Sequence, residues 1–470
     1  MTRVGSAPPS VLYELDPNDV PVPSRAPSVN FPAVGFGVLR VSAAPDGKAV
    51  QNLTLSYGPE ASHGHPDKLH IDLYALGDVL MPSPGIYYPY IGNRFIDTWY
   101  HTTLAHNSLT VDEKSQAFQD RHASVHANQT VFAPAERFGV QRASSDSAYP
   151  DVTMDRAVFV TTRYLADLFG AFSDASHRYD LAWHIRGALA SDLDLKPVPF
   201  PEPAPNGYNA LVNMRRSRPT EGFWSATFAL SDRVARLPAA GGTPTEAISS
   251  EKAAFMSTKN GFGRQQASDG DYLVERRGVE STIFGTVLDL SGAAVGYVRR
   301  VNQEGDLKRG FALLKIETTD GVDYCFASYR PGEYNQSGLE TDALQALVQS
   351  QEAEVQSLYL GGGLFLKFGG ASIKRSGKGL ADLEKASDGG YIVSNPSPDP
   401  ATLTVRLPAL NGFEVFKLDD RGRPAGKADV TIRPEARCRS LSTPRAELRL
   451  FRRQDSANKR FDSYDLLGRV

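Results

Sequence analysis

From about Gly35 onward the chain is dominated by a two-residue alternation of apolar and polar side chains. Leu53, Leu55 and Tyr57 alternate with Thr54 and Ser56, and Leu69, Ile71, Leu73 and Ala75 alternate with His70, Asp72 and Tyr74. Successive side chains of an extended backbone point to opposite faces, so this spacing predicts strands with one buried face. It returns over residues 158–172, 272–290, 311–318 and 322–329, and Asp320-Gly321 between the last two marks a tight hairpin turn. The expected fold class is all-β, built around a large antiparallel sandwich. Residues 341–358 stand apart. Leu344, Leu347, Val348 and Val355 fall roughly on one helical stripe, with Asp342 placed to cap its start, and the segment is expected to form a short peripheral helix. Five prolines among mostly polar residues over 192–206 predict a surface loop.

A chain of 470 residues has room for two or three domains. Residues 1–34 are rich in Pro, Ser, Val and Asp without periodicity and are expected to be an extended linker, so that the chain reads as truncated. The sandwich is expected over 35–385. A smaller C-terminal β domain is expected over 386–470, where polar turns separate short alternations such as Leu403, Val405 and Leu407.

The net charge of −3 supplies no overall field for nucleic acid or an anionic membrane, so a polyanion must be met by a local basic cluster. Arg215-Arg216, Arg299-Arg300, Arg452-Arg453 and the group Lys374, Arg375 and Lys378 are read as solvated faces. The two cysteines, Cys325 and Cys438, are too few for a disulfide framework. No apolar run approaches the roughly 18 to 20 residues that cross a bilayer, and 1–17 lacks the apolar centre of a signal peptide. No internal repeat, phosphate-binding glycine loop or nucleophile elbow is evident.

Five of the nine histidines, His63, His65, His70, His101 and His106, share one window with Tyr87, Tyr88, Tyr90, Arg94 and Tyr100. His63 and His65 stand at i and i+2, on the same side of a strand-like segment, with Gly64 between them allowing close approach. One imidazole could face a cleft and the other a metal. A metal needs further ligands from elsewhere, and His106 is the best candidate.

The run from Ser62 through His63-Gly64-His65-Pro66-Asp67-Lys68 to Leu69, then Pro84-Gly85, Trp99, and Ala105-His106-Asn107-Ser108-Leu109-Thr110-Val111-Asp112, resembles the signature of the heparinase II/III family of polysaccharide lyases. Asp174-Ala175-Ser176-His177-Arg178-Tyr179-Asp180, with Trp183-His184, and Leu358-Tyr359-Leu360-Gly361-Gly362-Gly363 extend the similarity, which covers the chain from about Phe31. The resemblance implies an N-terminal helical toroid, which this chain lacks, followed by a β-sandwich and a smaller β domain. It also implies β-elimination on uronic-acid-containing polysaccharides in the periplasm, the cell envelope or outside the cell. The toroid would come from a longer precursor, a neighbouring reading frame or a partner chain.

Elimination requires donors for the uronate carboxylate, a base for the C5 proton and an acid for the departing oxygen, roles that tyrosine and histidine fill. By position His63 resembles the cleft-facing histidine, and His65 and His106 resemble two ligands of a structural zinc. Ser83 stands where the family places an aspartate ligand, which weakens that site unless Asp72, Asp78 or Asp97 moves in. Tyr88 and Tyr90 are the candidate phenols beside the leaving group, and Arg94 and Asn107 the candidate substrate contacts. His177, Asp180 and His184 lie in alternating sequence and are expected to form a buried hydrogen-bond network. A second reading is a non-catalytic carbohydrate-binding or structural β-sandwich, since fold alone does not fix function. An upstream in-frame extension encoding helical hairpins would favour the lyase.

Overall fold

The structure, a computed structural model, describes residues 27–42, 50–59, 64–83, 99–117, 125–135, 137–199, 206–251, 271–305, 307–352, 354–386, 389–397, 399 and 401–408, and beyond these the backbone of the strands between 413 and 452. No α-helix occurs among the described residues, and none of their helical turns is long and apolar enough to cross a membrane. Antiparallel strands carry the fold, as the alternation predicts.

Five strands in chain order, Val29–Phe31, Phe36–Ser42, Val50–Ser56, Ile71–Ala75 and Asp78–Met81, form a meander. A six-stranded sheet includes Leu109–Val111, His177–His184 and Tyr272–Val279. Between these and a large sheet that starts at Val298–Glu304 runs an eight-stranded sheet with Val152–Thr161, Tyr164–Phe172 and Thr282–Gly292 at its centre. Its strands bury both faces. Val158, Val160, Leu165 and Phe169 join the core beneath the meander and the six-stranded sheet. Ala157, Phe159, Ala166 and Leu168, one residue out of phase, pack with Val301, Leu314, Cys325 and Leu347 of the large sheet. The opposite face of the large sheet closes a further core around Leu313, Phe326, Val348 and Leu360.

The helix expected over 341–358 is instead two strands, Gln345–Gln351 and the start of Glu354–Phe368, paired across a turn with Glu352 in the left-handed region. Leu347 faces one core while Ala346 and Val348 face the other. A strand covered on both sides loses its polar alternation, and its short apolar run can then fall on a helical stripe by chance. Asp342 does cap, but not a helix. Its Oδ1 accepts the backbone N–H groups of Leu364 (2.7 Å) and Phe365 (3.0 Å), where Gly362 at φ +74° lets the strand bulge.

The boundary expected at 385/386 falls inside the large sheet, because Ala371–Lys385 pairs directly with Tyr391–Ser394 and with Ala401–Arg406. At the other end, the stretch expected to be linker includes the strand Val29–Phe31. Arg375 also departs from expectation. It is buried and donates to the carbonyls of Gly377, Lys378 and Asp399, tying one loop together.

Candidate functional site

The histidine-bearing segments 64–70 and 99–117 lie against each other as irregular chain held by side chains. A 3-10 turn at Thr103–Ala105 delivers His106. The Thr103 hydroxyl donates to the Pro66 carbonyl (2.8 Å) and accepts the N–H of Gln116 (2.8 Å). The Gln116 side chain in turn brackets Lys68, accepting its N–H (2.7 Å) and donating to its carbonyl (3.1 Å). Ser108 donates to the same carbonyl at 2.7 Å. These bonds replace the sheet ladder that such a segment lacks, as buried backbone groups require.

Beneath this layer lies Arg156, fully buried in the central sheet and forked onto Asp167 at 2.6–3.1 Å. Its Nη1 reaches upward to the carbonyls of Leu69 (2.7 Å) and Asn107 (2.6 Å), one in each histidine-bearing segment. Leu69 sits at φ +62°, a conformation costly for a branched side chain, and the guanidinium on its carbonyl helps hold it there.

The hydrogen bonds fix the imidazole tautomers. His106 Nδ1 donates to the Thr102 carbonyl (2.9 Å), leaving Nε2 as the acceptor for Nδ1 of His65 (2.9 Å). His65 Nε2 is therefore a bare lone pair, and it is buried without a partner. His70 Nδ1 accepts the Asn107 N–H (2.9 Å), so its Nε2–H points to Asp72 (3.1 Å). Burial, reinforced by the charges of His101, His70 and Lys68, lowers His65 to about 4. Burial also holds His106 well below the ordinary histidine value, with His70 and His65 adding to it. Both rings are neutral near pH 7, the state that ligates metal.

Neutral imidazoles alone do not make a metal site. Among the described residues no three His, Cys, Asp or Glu side chains are placed to hold a metal ion. Asp72 is taken by His70, Asp78 by Arg186 through both carboxylate oxygens (2.8 Å), and Ser83 is exposed. Asp97 lies outside the described residues. The described side chains do not complete a structural zinc shell, which needs four ligands.

His63, Tyr88, Tyr90 and Arg94 likewise lie outside the described residues. His65 and His106 meet in a direct hydrogen bond. Asn107, expected to touch substrate, is fully buried. Its amide nitrogen donates to the Ile71 carbonyl (3.1 Å), and its amide oxygen accepts the His184 N–H (2.6 Å), so it braces the segment from within. The expected network at His177, Asp180 and His184 divides. His184 is buried and donates from Nε2 to the Leu104 carbonyl (2.7 Å), and Asp180 is buried against Arg276 and Tyr208. His177 joins neither and faces Asp112 and Ser173. The supports Arg156, Asp167 and Gln116 were not anticipated. A lone Arg and a lone Asp inside otherwise apolar strands are the signal that identifies the first two.

The stacked antiparallel sheets define the class as an all-β sandwich protein. The chain matches the family described as Heparinase II/III-like, C-terminal, over residues 23–278, more than half its length, and it belongs to that family. An alginate lyase from Stenotrophomonas maltophilia (strain K279a) is 26% identical over 247 residues, which is 47% of this chain and 32% of that protein. Among solved structures, the heparan sulfate lyase of Pedobacter heparinus aligns at 14% identity and TM-score 0.46 over 66% of this chain and 44% of its own. A heparinase III aligns at 14% identity and TM-score 0.44, over 65% and 43%. The chain thus spans about a third of the length of the curated relative it matches.

Proposed function

We propose that this chain is the β portion of a lyase that cleaves a uronic-acid-containing polysaccharide by β-elimination and that works with a helical toroid forming the opposite wall of the cleft. The carrying observation is the locked pair His65–His106, whose first member stands two positions after His63 in the sequence. In this reading His63 and a phenol from Tyr88 or Tyr90 share the proton transfers. The C5 proton leaves to a base as the electrons move toward C4, and the glycosidic oxygen departs with a proton from an acid. Arg94 meets the uronate carboxylate as a bidentate partner, lowering the cost of enolate-like charge. No step requires a metal. The setting is where such polymers occur: the periplasm, the cell envelope or outside the cell.

The test is ultraviolet absorbance from unsaturated uronate on alginate, heparan, hyaluronan and pectin-like substrates, using the chain joined to a toroid. Wild type should generate signal on at least one of them. His63→Ala should remove it, about 10²-fold or more, while the melting temperature stays unchanged. Silence across the panel, with intact folding, would instead favour a non-catalytic carbohydrate-binding module.

A further inference from the structure

Outside the histidine layer, a second arrangement of nucleophile, base and carboxylate is present. Ser173 directly follows the strand Tyr164–Phe172, and His177 opens the next, His177–His184. His177 Nε2 lies 3.2 Å from Ser173 Oγ, and its Nδ1 lies 2.8 Å from Asp112 Oδ2. With Nδ1–H donated to the carboxylate, Nε2 carries the lone pair that receives the serine hydroxyl proton. Asp112 is itself oriented, because its Oδ1 accepts the Arg178 N–H (2.9 Å) and its backbone is held at φ +51°. Burial opposes its ionisation, but the bonds from Arg178 and His177 outweigh this and hold the carboxyl below its ordinary value. The serine backbone is fixed at both polar atoms: its N–H donates to Ser281 Oγ (2.9 Å), and its carbonyl accepts from the same hydroxyl (2.9 Å). Ser173 Oγ also accepts the Ala175 N–H at 3.1 Å.

Ser173 lines an open cleft of about 650 Å³ at the seam between the central and large sheets. Arg142, Arg330 and Tyr329 line it too, and the Tyr329 hydroxyl has no hydrogen-bond partner. Arg142 is nine-tenths buried and paired with Asp155. Asp146, Asp151 and Asp174 add negative charge around the same cleft.

From this geometry we infer that Ser173, His177 and Asp112 form an acyl-transfer site that hydrolyses a small, uncharged carboxylic ester held in the seam cleft. Nucleophile, base and orienting carboxylate meet in the order that such chemistry needs, whatever the fold. Ser173 Oγ bonds to the ester carbonyl carbon as its proton passes to His177 Nε2. The ester C–O bond then breaks, and the alcohol leaves with that proton. Water, deprotonated by His177, attacks the acyl-serine; the C–Oγ bond breaks and the serine recovers a proton. The net change is ester plus water to carboxylic acid plus alcohol. The exposed Arg330 guanidinium of the cleft is the donor available to the oxyanion, and the three aspartates disfavour an anionic acyl group. Asp112 is a positioning residue and acts through His177.

This activity is separate from elimination, and its test reads no unsaturated product. Wild-type protein is treated with a fluorophosphonate, weighed intact and digested to map the adduct, and hydrolysis of an aryl acetate is followed in parallel. The expected result is one adduct, on Ser173. Ester turnover should fall about 10³-fold or more to background in Ser173→Ala and His177→Ala. Asp112→Asn should slow turnover and move the acidic limb of the pH–rate profile to lower pH, which the loss of a loop tether would not do. No adduct on the folded wild type, an adduct on another residue, or equal turnover in wild type and Ser173→Ala would overturn the inference and leave the three side chains as a loop brace.

Discussion

The central sheet and the large sheet are built from similar strands but bury charge differently. The central sheet sinks whole ion pairs, Arg156 with Asp167 under the histidine layer and Arg142 with Asp155 on the face toward the large sheet, and spends spare guanidinium donors on carbonyls of other segments. The core around Leu313, Phe326 and Val348 is apolar. Three buried charges of the large sheet sit at its border with the rest of the molecule or inside one loop: Asp323 accepts from Tyr164, Glu384 accepts from the Arg137 N–H, and Arg375 serves its own turn. A buried ion pair is a poor source of stability compared with packed hydrocarbon. Its presence beneath segments 64–70 and 99–117 is explained by what it orients, since those segments have few strand partners of their own.

Removing Arg156 is the strongest way to break this contrast. Arg156→Ala should destabilise the protein by about 3–5 kcal/mol in urea unfolding, because Asp167 is left buried without its partner. The double variant Arg156→Met with Asp167→Leu should regain most of that loss. It should still expose the 64–70 segment to faster amide exchange, because the Leu69 and Asn107 carbonyls lose their donor. Equal exchange in wild type and double variant would mean that the ion pair does not hold the layer.

A smaller effect is expected from pH. Burial depresses His184 to about 4, partly offset by its bond to the Leu104 carbonyl. Between about 6.5 and about 4 the unfolded chain binds a proton at this ring and the folded chain does not, so stability declines as the pH falls through that window. The contribution is on the order of 3 kcal/mol. His184→Gln should flatten the acid side of the stability curve by about one proton, and an unchanged slope would show that the ring does not titrate differently on folding.

The smallest effect belongs to the large sheet. Asp342→Ala removes a carboxylate that satisfies two backbone N–H groups at the bulge, and should cost about 1–2 kcal/mol. Circular dichroism should show no helix lost, which separates the observed role from the helix cap that the sequence suggests.

These contrasts also explain what could be read in advance. Period-two alternation marks strands covered on one side, such as Ile71–Ala75, and tight turns such as Asp320-Gly321 stand out by residue type. It misleads over 345–358 because Leu347 and Val348 feed different cores, and two buried faces erase the period. The meeting of His65 with His106 was legible because both belong to one ordered set of motifs. Asp112 and His177 were not legible as a pair. They lie 65 positions apart and meet only because Leu109–Val111 pairs with Tyr179–Leu181, a register that no local pattern announces. Asn107 misled for a similar reason: a polar residue in a site motif looks the same in sequence whether it faces solvent or braces the chain from inside.

The central functional claim is that the glycosidic bond is cut by elimination and not by adding water. Its most direct measurement is the mass of oligosaccharide products formed in isotopically heavy water by the chain joined to a toroid. Elimination predicts a new non-reducing end one water lighter than the hydrolytic product and free of heavy oxygen. A saturated new non-reducing end with the full mass of the hydrolytic product would contradict the account.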